Sequence, residues 1–184
     1  MNTGVLVLAA GFSRRFDGDK RLFQVEGGKP LLHMTVENVL TTGLPCRVCI
    51  RPDDEQVRDL LLTMGVQSID CSEAHLGMGA TLAQGITAVT DWDAALIALG
   101  DMAWVLPETY RQLAAGLQSA AIVQPEYDGQ PGNPVGFTRR YYPQLRTLTG
   151  GDEGGRAILR MHADRVLRVA VGDPGIHRDL DYIS

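Results

Sequence analysis

The sequence is short of cysteine, of net positive charge and of long apolar runs, and each shortage closes off a class of protein. Three cysteines, Cys46, Cys49 and Cys71, are too few and odd in number for a disulfide framework, which predicts a reducing compartment. A formal net charge of −5 leaves no broad basic face for nucleic acid or an anionic membrane surface. No apolar stretch reaches the length of a bilayer span, and "MNTGVLVLAAG" lacks the basic flank of a secretory signal, so the expectation is a cytoplasmic protein. Internal repeats, low-complexity tracts and linkers are missing too. With 184 residues, 45% of them hydrophobic and 21% charged, the chain is sized for one domain over 1–184 with one sizeable core.

Several familiar site motifs are also missing. A P-loop needs Gly-Lys followed by Ser or Thr, but Lys20 follows Asp19 and Lys29 precedes Pro30. A dinucleotide fingerprint needs three spaced glycines on the first turn, and after Gly11 the next is Gly18. His33, His75, His162 and His177 have no metal-ligand spacing, and "GFSRR" lacks the second glycine of a nucleophile elbow. "CRVC" has redox spacing, but in a strand an offset of three sends Cys46 and Cys49 to opposite faces, and Cys71 offers no evident partner.

What the chain does have is a regular alternation. Apolar runs such as "VLVLAA", "CRVCI", "QSIDC", "AALIALG" and "AAIVQP" take turns with helix-period segments such as "PLLHMTVENVLTT", "DEQVRDLLLTMG", "ATLAQGITAVT" and "PETYRQLAAGLQS". That order predicts an α/β fold, a three-layer α/β/α sandwich around a mostly parallel sheet, Rossmann-like in outline. Pro30 and Pro107 suit first helical turns, where a missing amide donor costs nothing, and Gly65 suits a helix stop. After Pro125 the pattern loosens. "EYDGQPGNPVGFTRR" reads as a loop into a short strand at 135–137, followed by a helix near "YPQLRTL", the turn "TGGDEGG", the helix "RAILRMHA" and a last strand "VLRVAVG".

The stretch "VLVLAAGFSRRFDGDKRL" is the most informative. Its first half is a strand covered on both faces; Gly11 then frees the backbone to turn, and Arg14, Arg15, Lys20 and Arg21 follow within eleven residues of it. In an open α/β sheet ligands bind beyond the carboxyl ends of the strands, so cations gathered there predict an anionic ligand. Asp101, emerging from "AALIALGD", puts a carboxylate at the same edge, suited to Mg²⁺ or, as its alternative, to capping the helix near Pro107.

"LAAGFSRRFDGDK" resembles the signature loop of the MobA-like NTP transferases, in particular the molybdenum cofactor cytidylyltransferase branch. "GMGATLAQG", "LGDM", "GNPVGF", "GDEGGR" and the terminal "DLD" resemble further motifs of that family, in its order and over nearly the whole chain. The resemblance implies a nucleotide-diphospho-sugar transferase-like fold and transfer of CMP from CTP to a phosphorylated molybdopterin-type cofactor, with Mg²⁺ and release of pyrophosphate. Another small phosphorylated acceptor, or a nucleotide-binding maturation protein without turnover, stays open. The implied partners are the NTP and the acceptor, with a molybdoenzyme apoprotein or maturation factor downstream.

The resemblance also implies residue roles. Arg15 and Lys20 hold the triphosphate, with Arg14 and Arg21 left facing solvent. Leu8, Ala9, Ala10 and Gly11 line the nucleotide, and "LAAG" rather than "LAGG" favours a pyrimidine. Asp101 and Asp181 hold the metal; Asp179 and Asp181 would share one side of a strand. Gly79 and Thr81 read the nucleobase, although Thr81 equally suits a helix cap. Asn133, Pro134 and Asp152, within "GNPVGF" and "GDEGGR", belong to the acceptor side. One departure stands out: where the family continues Gly-Asp-Met with proline, this chain has Ala103 and Trp104.

Overall fold

A computed structural model describes residues 1–12 and 18–179. Its strands and helices alternate as the sequence predicts: β1 (Thr3–Leu8), α1 (Leu31–Leu40), β2 (Cys46–Ile50), α2 (Glu55–Thr63), β3 (Gln67–Asp70), α3 (Met78–Ala88), β4 (Ala94–Leu99) and α4 (Pro107–Gly116). The second half adds β5 (Ile122–Tyr127), β6 (Gln130–Pro131), β7 (Val135–Thr138), α5 (Tyr142–Arg146), α6 (Arg156–Met161) and β8 (Val166–Ala170). The sheet runs β3-β2-β1-β4-β7-β5-β6, with β8 also paired to β5. β7 lies antiparallel to β4 and β5, and β6 is antiparallel to β5; the other pairings are parallel.

The period of two along β1 builds the three layers. Val5, Val7 and Ala9 belong to one core, closed by Leu32 and Val36 of α1, Leu61 of α2 and Leu113 of α4. Leu6, Leu8 and Ala10 belong to the other, closed by Leu82 and Ile86 of α3, Leu145 of α5 and Ile158 of α6. All six β1 residues are buried, as a strand covered on both faces must be. Gly4 is required by packing: a Cβ there would lie 2.4 Å from the Trp92 ring.

Some boundaries differ from expectation. Pro107 is the first residue of α4, but Pro30 stands one place before α1, as its cap. α3 begins at Met78, so Thr81 is inside the first turn and does not cap the helix; Gly77 occupies the cap position. Asp179 is the last described residue, and Asp181 lies outside the described residues. Among the described residues, no helix is long and apolar enough to cross a membrane.

Candidate active site

The site is built where β1 and β4 part. Ala9 N donates to Cys49 O, continuing the β1–β2 ladder, while Gly100 N donates to Leu8 O. Beyond that point the two strands lead into separate loops, and the backbone of Ala9, Ala10 and Gly11 lies at the sheet's carboxyl edge. Leu8, Ala9 and Ala10 have buried side chains, so these residues offer a ligand mainly their main chain; Gly11 is exposed.

From the far end of that loop, Lys20 Nζ reaches Asp101 Oδ2 at 2.8 Å. The ion pair is only partly covered, with the lysine side chain 14% and the aspartate 24% exposed. The backbone around Asp101 is gripped from two directions. Thr35 Oγ1 donates to Gly100 O at 3.0 Å and Asn38 Nδ2 to Ala103 O at 2.9 Å, both from α1. On the other side, the buried Asp173 accepts from Leu106 N at 2.8 Å and Thr109 Oγ1 at 2.6 Å through one oxygen and from Gly175 N at 2.8 Å through the other. Asp173 therefore anchors the entry to α4, caps the short turn that follows it, and ties the loop after β4 to the chain's last described segment. Trp104 takes part in that tie: Arg178 stacks on its ring with 3.9 Å to the centroid.

Arg21 corrects the sequence reading. It is 6% exposed, not solvent-facing. Its guanidinium forks onto Asp54 at 2.5 and 2.8 Å, pairs with Asp19 at 2.9 and 2.6 Å, and donates to Ala9 O at 2.6 Å. A buried guanidinium is tolerated because planar donors meet planar acceptors on every side. Burial works against its charge, but hydrogen bonds to Asp54 and Asp19 outweigh that and push its pKa up. For Asp54 burial likewise opposes ionisation, and hydrogen bonds from Arg21 and Arg51 prevail, holding the carboxyl at about 2.

Beside these groups a cleft of about 90 Å³ opens on the α3 side of the sheet. Leu8, Ile97, Leu99, Val135 and Phe137 form its apolar walls, and Asn133, Asp152, Glu153 and Arg156 bring polar and charged groups to it. Pro134 is buried behind Asn133, whose backbone N–H donates to Ile176 O at 3.1 Å. Gly79 and Thr81 are packed more tightly than a free base-reading turn would be. Gly79 N donates to Gly151 O at 3.0 Å, and a Cβ on Gly79 would lie 2.5 Å from Gly150 O. Thr81 is 4% exposed, its hydroxyl 3.4 Å from Gly77 O. The two glycine-rich stretches of the sequence are thus stacked on each other. Arg14, Arg15 and Asp181 lie outside the described residues.

With this geometry in view, comparison with known proteins is decisive. Residues 5–166 match the model of the MobA-like NTP transferase domain. The chain belongs to this family. A curated relative, the bifunctional protein GlmU of Koribacter versatilis, is 27% identical over 139 residues; these make up 73% of this chain and 29% of that longer protein. Among solved structures, Rv0371c of Mycobacterium tuberculosis superimposes with a TM-score of 0.87 at 23% identity, over 98% of this chain and 93% of that one. The same protein in complex with manganese gives 0.79 at 21% identity, over 92% and 88%. A nucleotidyl transferase from Methanothermobacter gives 0.82 at 20% identity, over 98% and 92%. The sandwich is that of the nucleotide-diphospho-sugar transferases, and the chain is a nucleotidyltransferase by family.

At this edge Asp101, already paired with Lys20, is a carboxylate that could hold a divalent ion. Asp101 is partly exposed at the sheet edge, and Mg²⁺ takes one or two carboxylates while keeping waters and substrate phosphates as its other ligands. Among the described residues no group of three His, Cys, Asp or Glu side chains gathers to hold a metal alone. The cysteines split as the offset requires, Cys46 packing on one core and Cys49 in the other. Parallel register sets Cys71 on the Cys49 side, close to its thiol, and Cys71 Sγ donates to Ile69 O at 3.7 Å and Thr81 O at 3.9 Å. The neighbouring Cys71 thiol, together with burial, pushes the Cys49 thiol up. The residues that sequence reasoning missed, Asp54 and Asp173, carry no local motif.

Proposed function

We propose that this MobA-like transferase moves CMP from CTP to a phosphorylated acceptor of molybdopterin type and releases pyrophosphate. The observation that carries this reading is the Lys20–Asp101 pair at the carboxyl edge of β1 and β4, next to a cleft. An acceptor phosphate attacking the α-phosphorus brings negative charge from both partners to one place, and the site must neutralise it. Lys20 supplies a cation for the triphosphate, and Arg15 is proposed to supply another. Asp101 is proposed to hold Mg²⁺ with Asp181; the ion's contribution is charge neutralisation on the phosphates. The phosphate nucleophile needs no general base, so positioning and electrostatics make up the catalysis.

The cleft joins an apolar wall to a polar rim of Asn133, Asp152, Glu153 and Arg156. A heterocycle can lie against Leu8, Ile97 and Phe137 and present its edge to Asn133 and Asp152. "LAAG" in the loop supports a pyrimidine donor.

Pyrophosphate release tests the whole reading. The protein is mixed with Mg²⁺, CTP and molybdopterin, with parallel reactions in GTP and with sugar phosphates. Release with CTP and molybdopterin is expected. Faster release with GTP overturns the donor, and release only with a sugar phosphate overturns the acceptor. No release with any pair leaves a nucleotide-binding maturation protein as the better reading.

A further inference from the structure

We propose that Asp54 is a positioning residue for the nucleotide loop, acting through Arg21 and Arg51 to fix the described ends of that loop, residues 9–12 and 19–21, and so aim the amides after β1 at the triphosphate. This rests on the reading of the loop as the NTP site.

Asp54 occupies the cap position of α2, where an aspartate ordinarily accepts from the first helical amides. Here its side chain makes no cap hydrogen bond. Both oxygens, on a side chain only 6% exposed, are spent on two arginines. Arg21 forks onto them, and Arg51 adds Nη2 at 2.6 Å, Nε at 3.0 Å and its own backbone N–H at 2.9 Å. A carboxylate that leaves its helix uncapped and collects two guanidiniums serves something other than α2.

What the guanidiniums do next identifies it. Arg21 Nη1 donates to Ala9 O at 2.6 Å, and Arg51 Nη1 to Gly11 O at 3.4 Å. Arg51 also lies over the Phe12 ring, 4.8 Å from its centroid. The near end of the loop is therefore held by two carbonyls, and its far end by Asp19 and Arg21, next to Lys20. One buried carboxylate links both ends.

Peptide planarity gives the consequence. In a trans peptide the N–H points opposite to the preceding C=O. With Ala9 O and Gly11 O turned toward the arginines, the N–H groups of Ala10 and Phe12 point the other way. Among the described residues neither of these amides finds a backbone acceptor. Two outward amides on alternate residues suit an anion, and the arrangement fixes them before any ligand arrives. Asp54 touches no substrate in this scheme; it works through the arginines.

The test is steady-state kinetics of the whole protein with CTP and Mg²⁺, preceded by calorimetric CTP binding to the wild type. Asp54→Asn and Arg51→Met are each expected to raise the KM for CTP about tenfold while the acceptor KM stays within about twofold. Arg51→Met, at a half-buried site, carries the test if Asp54→Asn does not fold. Arg51→Lys keeps the charge but cannot bridge Asp54 and Gly11 O together, so it is expected to stay impaired; full rescue by lysine would mean simple charge attraction and overturn the proposal. Unchanged CTP affinity in Asp54→Asn or Arg51→Met, or an equal rise in both KM values, overturns it as well. Absence of NTP binding by the wild type would instead sink the reading of the loop itself, and the proposal with it.

Discussion

Lys20 Nζ and Asp101 Oδ2 meet at 2.8 Å although 81 residues separate them in the chain. The pair closes the gap between the loop after β1 and the loop after β4, and neither side chain is fully covered. In such a mostly covered pair the cost of removing both charges from water offsets much of their attraction, so the net contribution to stability is small. Its position at the sheet edge, rather than its strength, is its significance. Asp101→Asn keeps the size of the side chain and removes the charge proposed to hold Mg²⁺ against the triphosphate. The expected cost is about 3 kcal/mol of transition-state stabilisation, on the order of a hundredfold in kcat/KM for pyrophosphate release. Lys20→Met should act in the same direction. Because the two groups touch, the double variant should lose less than the product of the single losses. A wild-type rate for Asp101→Asn under limiting Mg²⁺ would remove Asp101 from the mechanism.

Arg21 behaves oppositely to its neighbour. Removing one member of a buried, hydrogen-bonded charge network leaves the others uncompensated, typically at 3–5 kcal/mol. Arg21→Met should therefore lower the unfolding free energy in urea by about 3 kcal/mol. Arg111→Ala, an exposed pair with Glu108 on α4, should change it by less than about 1 kcal/mol. Equal effects would mean that the Arg21 network is no stronger than a surface pair.

How much of this was legible follows the distance over which each signal acts. The alternation of β1 between two cores, its end at Leu8 and the turn at Gly11 are local, written in periodicity and a glycine, and could be read directly. The burial of Arg21 could not. "KR" looks the same whether solvated or buried, and the deciding partner, Asp54, lies 33 residues on. Asp173 is equally silent: its carboxylate holds the entry to α4 through the amide of Leu106, which precedes it by 67 residues. Thr81 carried two local readings, and one turn of difference in where α3 starts decided against the cap. The closeness of Cys71 to Cys49 depends on strand register across β2 and β3, which spacing does not encode.

Acid should expose the Asp54 network. Its folded-state pKa, about 2, lies below the usual unfolded value of about 3.9, so the unfolded chain binds the proton more readily. Stability from this group is full above about pH 4 and is lost as pH falls through about 2, in all about 2 kcal/mol. Asp19, whose pKa is also lowered by Arg21 against the opposing effect of burial, adds in the same direction. Urea midpoints measured from pH 5 to pH 2.5 should fall more steeply for the wild type than for Asp54→Asn. Parallel curves would show that the network does not depend on the charge of Asp54.

Asp173→Ala should weaken the hold on the Asp101 loop from behind. It removes acceptors for two backbone amides and the Thr109 hydroxyl, all close to a buried side chain. Each donor left unsatisfied costs about 1–3 kcal/mol, so a loss of about 3 kcal/mol is expected even with partial rescue by water. Thermal unfolding checks it, and a loss under about 1 kcal/mol would mean that water replaces the carboxylate.

Two glycines separate a packing role from a ligand role within the same site. At Gly79 a Cβ would stand 2.5 Å from the carbonyl oxygen of Gly150, a backbone atom that cannot swing aside like a side-chain tip. Gly79→Ala must push the 148–155 turn away from α3, and with it Asp152 and the lip of the cleft. Overpacking of this kind costs about 1–3 kcal/mol, so the variant should melt earlier and lose activity together. At Gly11 the added methyl meets nothing within 4 Å, and the backbone is not in a left-handed conformation. Gly11→Ala should keep the wild-type melting temperature. If the main chain at Gly11 is approached closely by the triphosphate, the methyl still obstructs the ligand, and the KM for CTP should rise several-fold with stability unchanged. A Gly11→Ala variant with both wild-type stability and wild-type KM would show that the nucleotide stays clear of Gly11, whereas a Gly79→Ala variant as stable as the wild type would mean that the stacked glycine loops carry no packing energy.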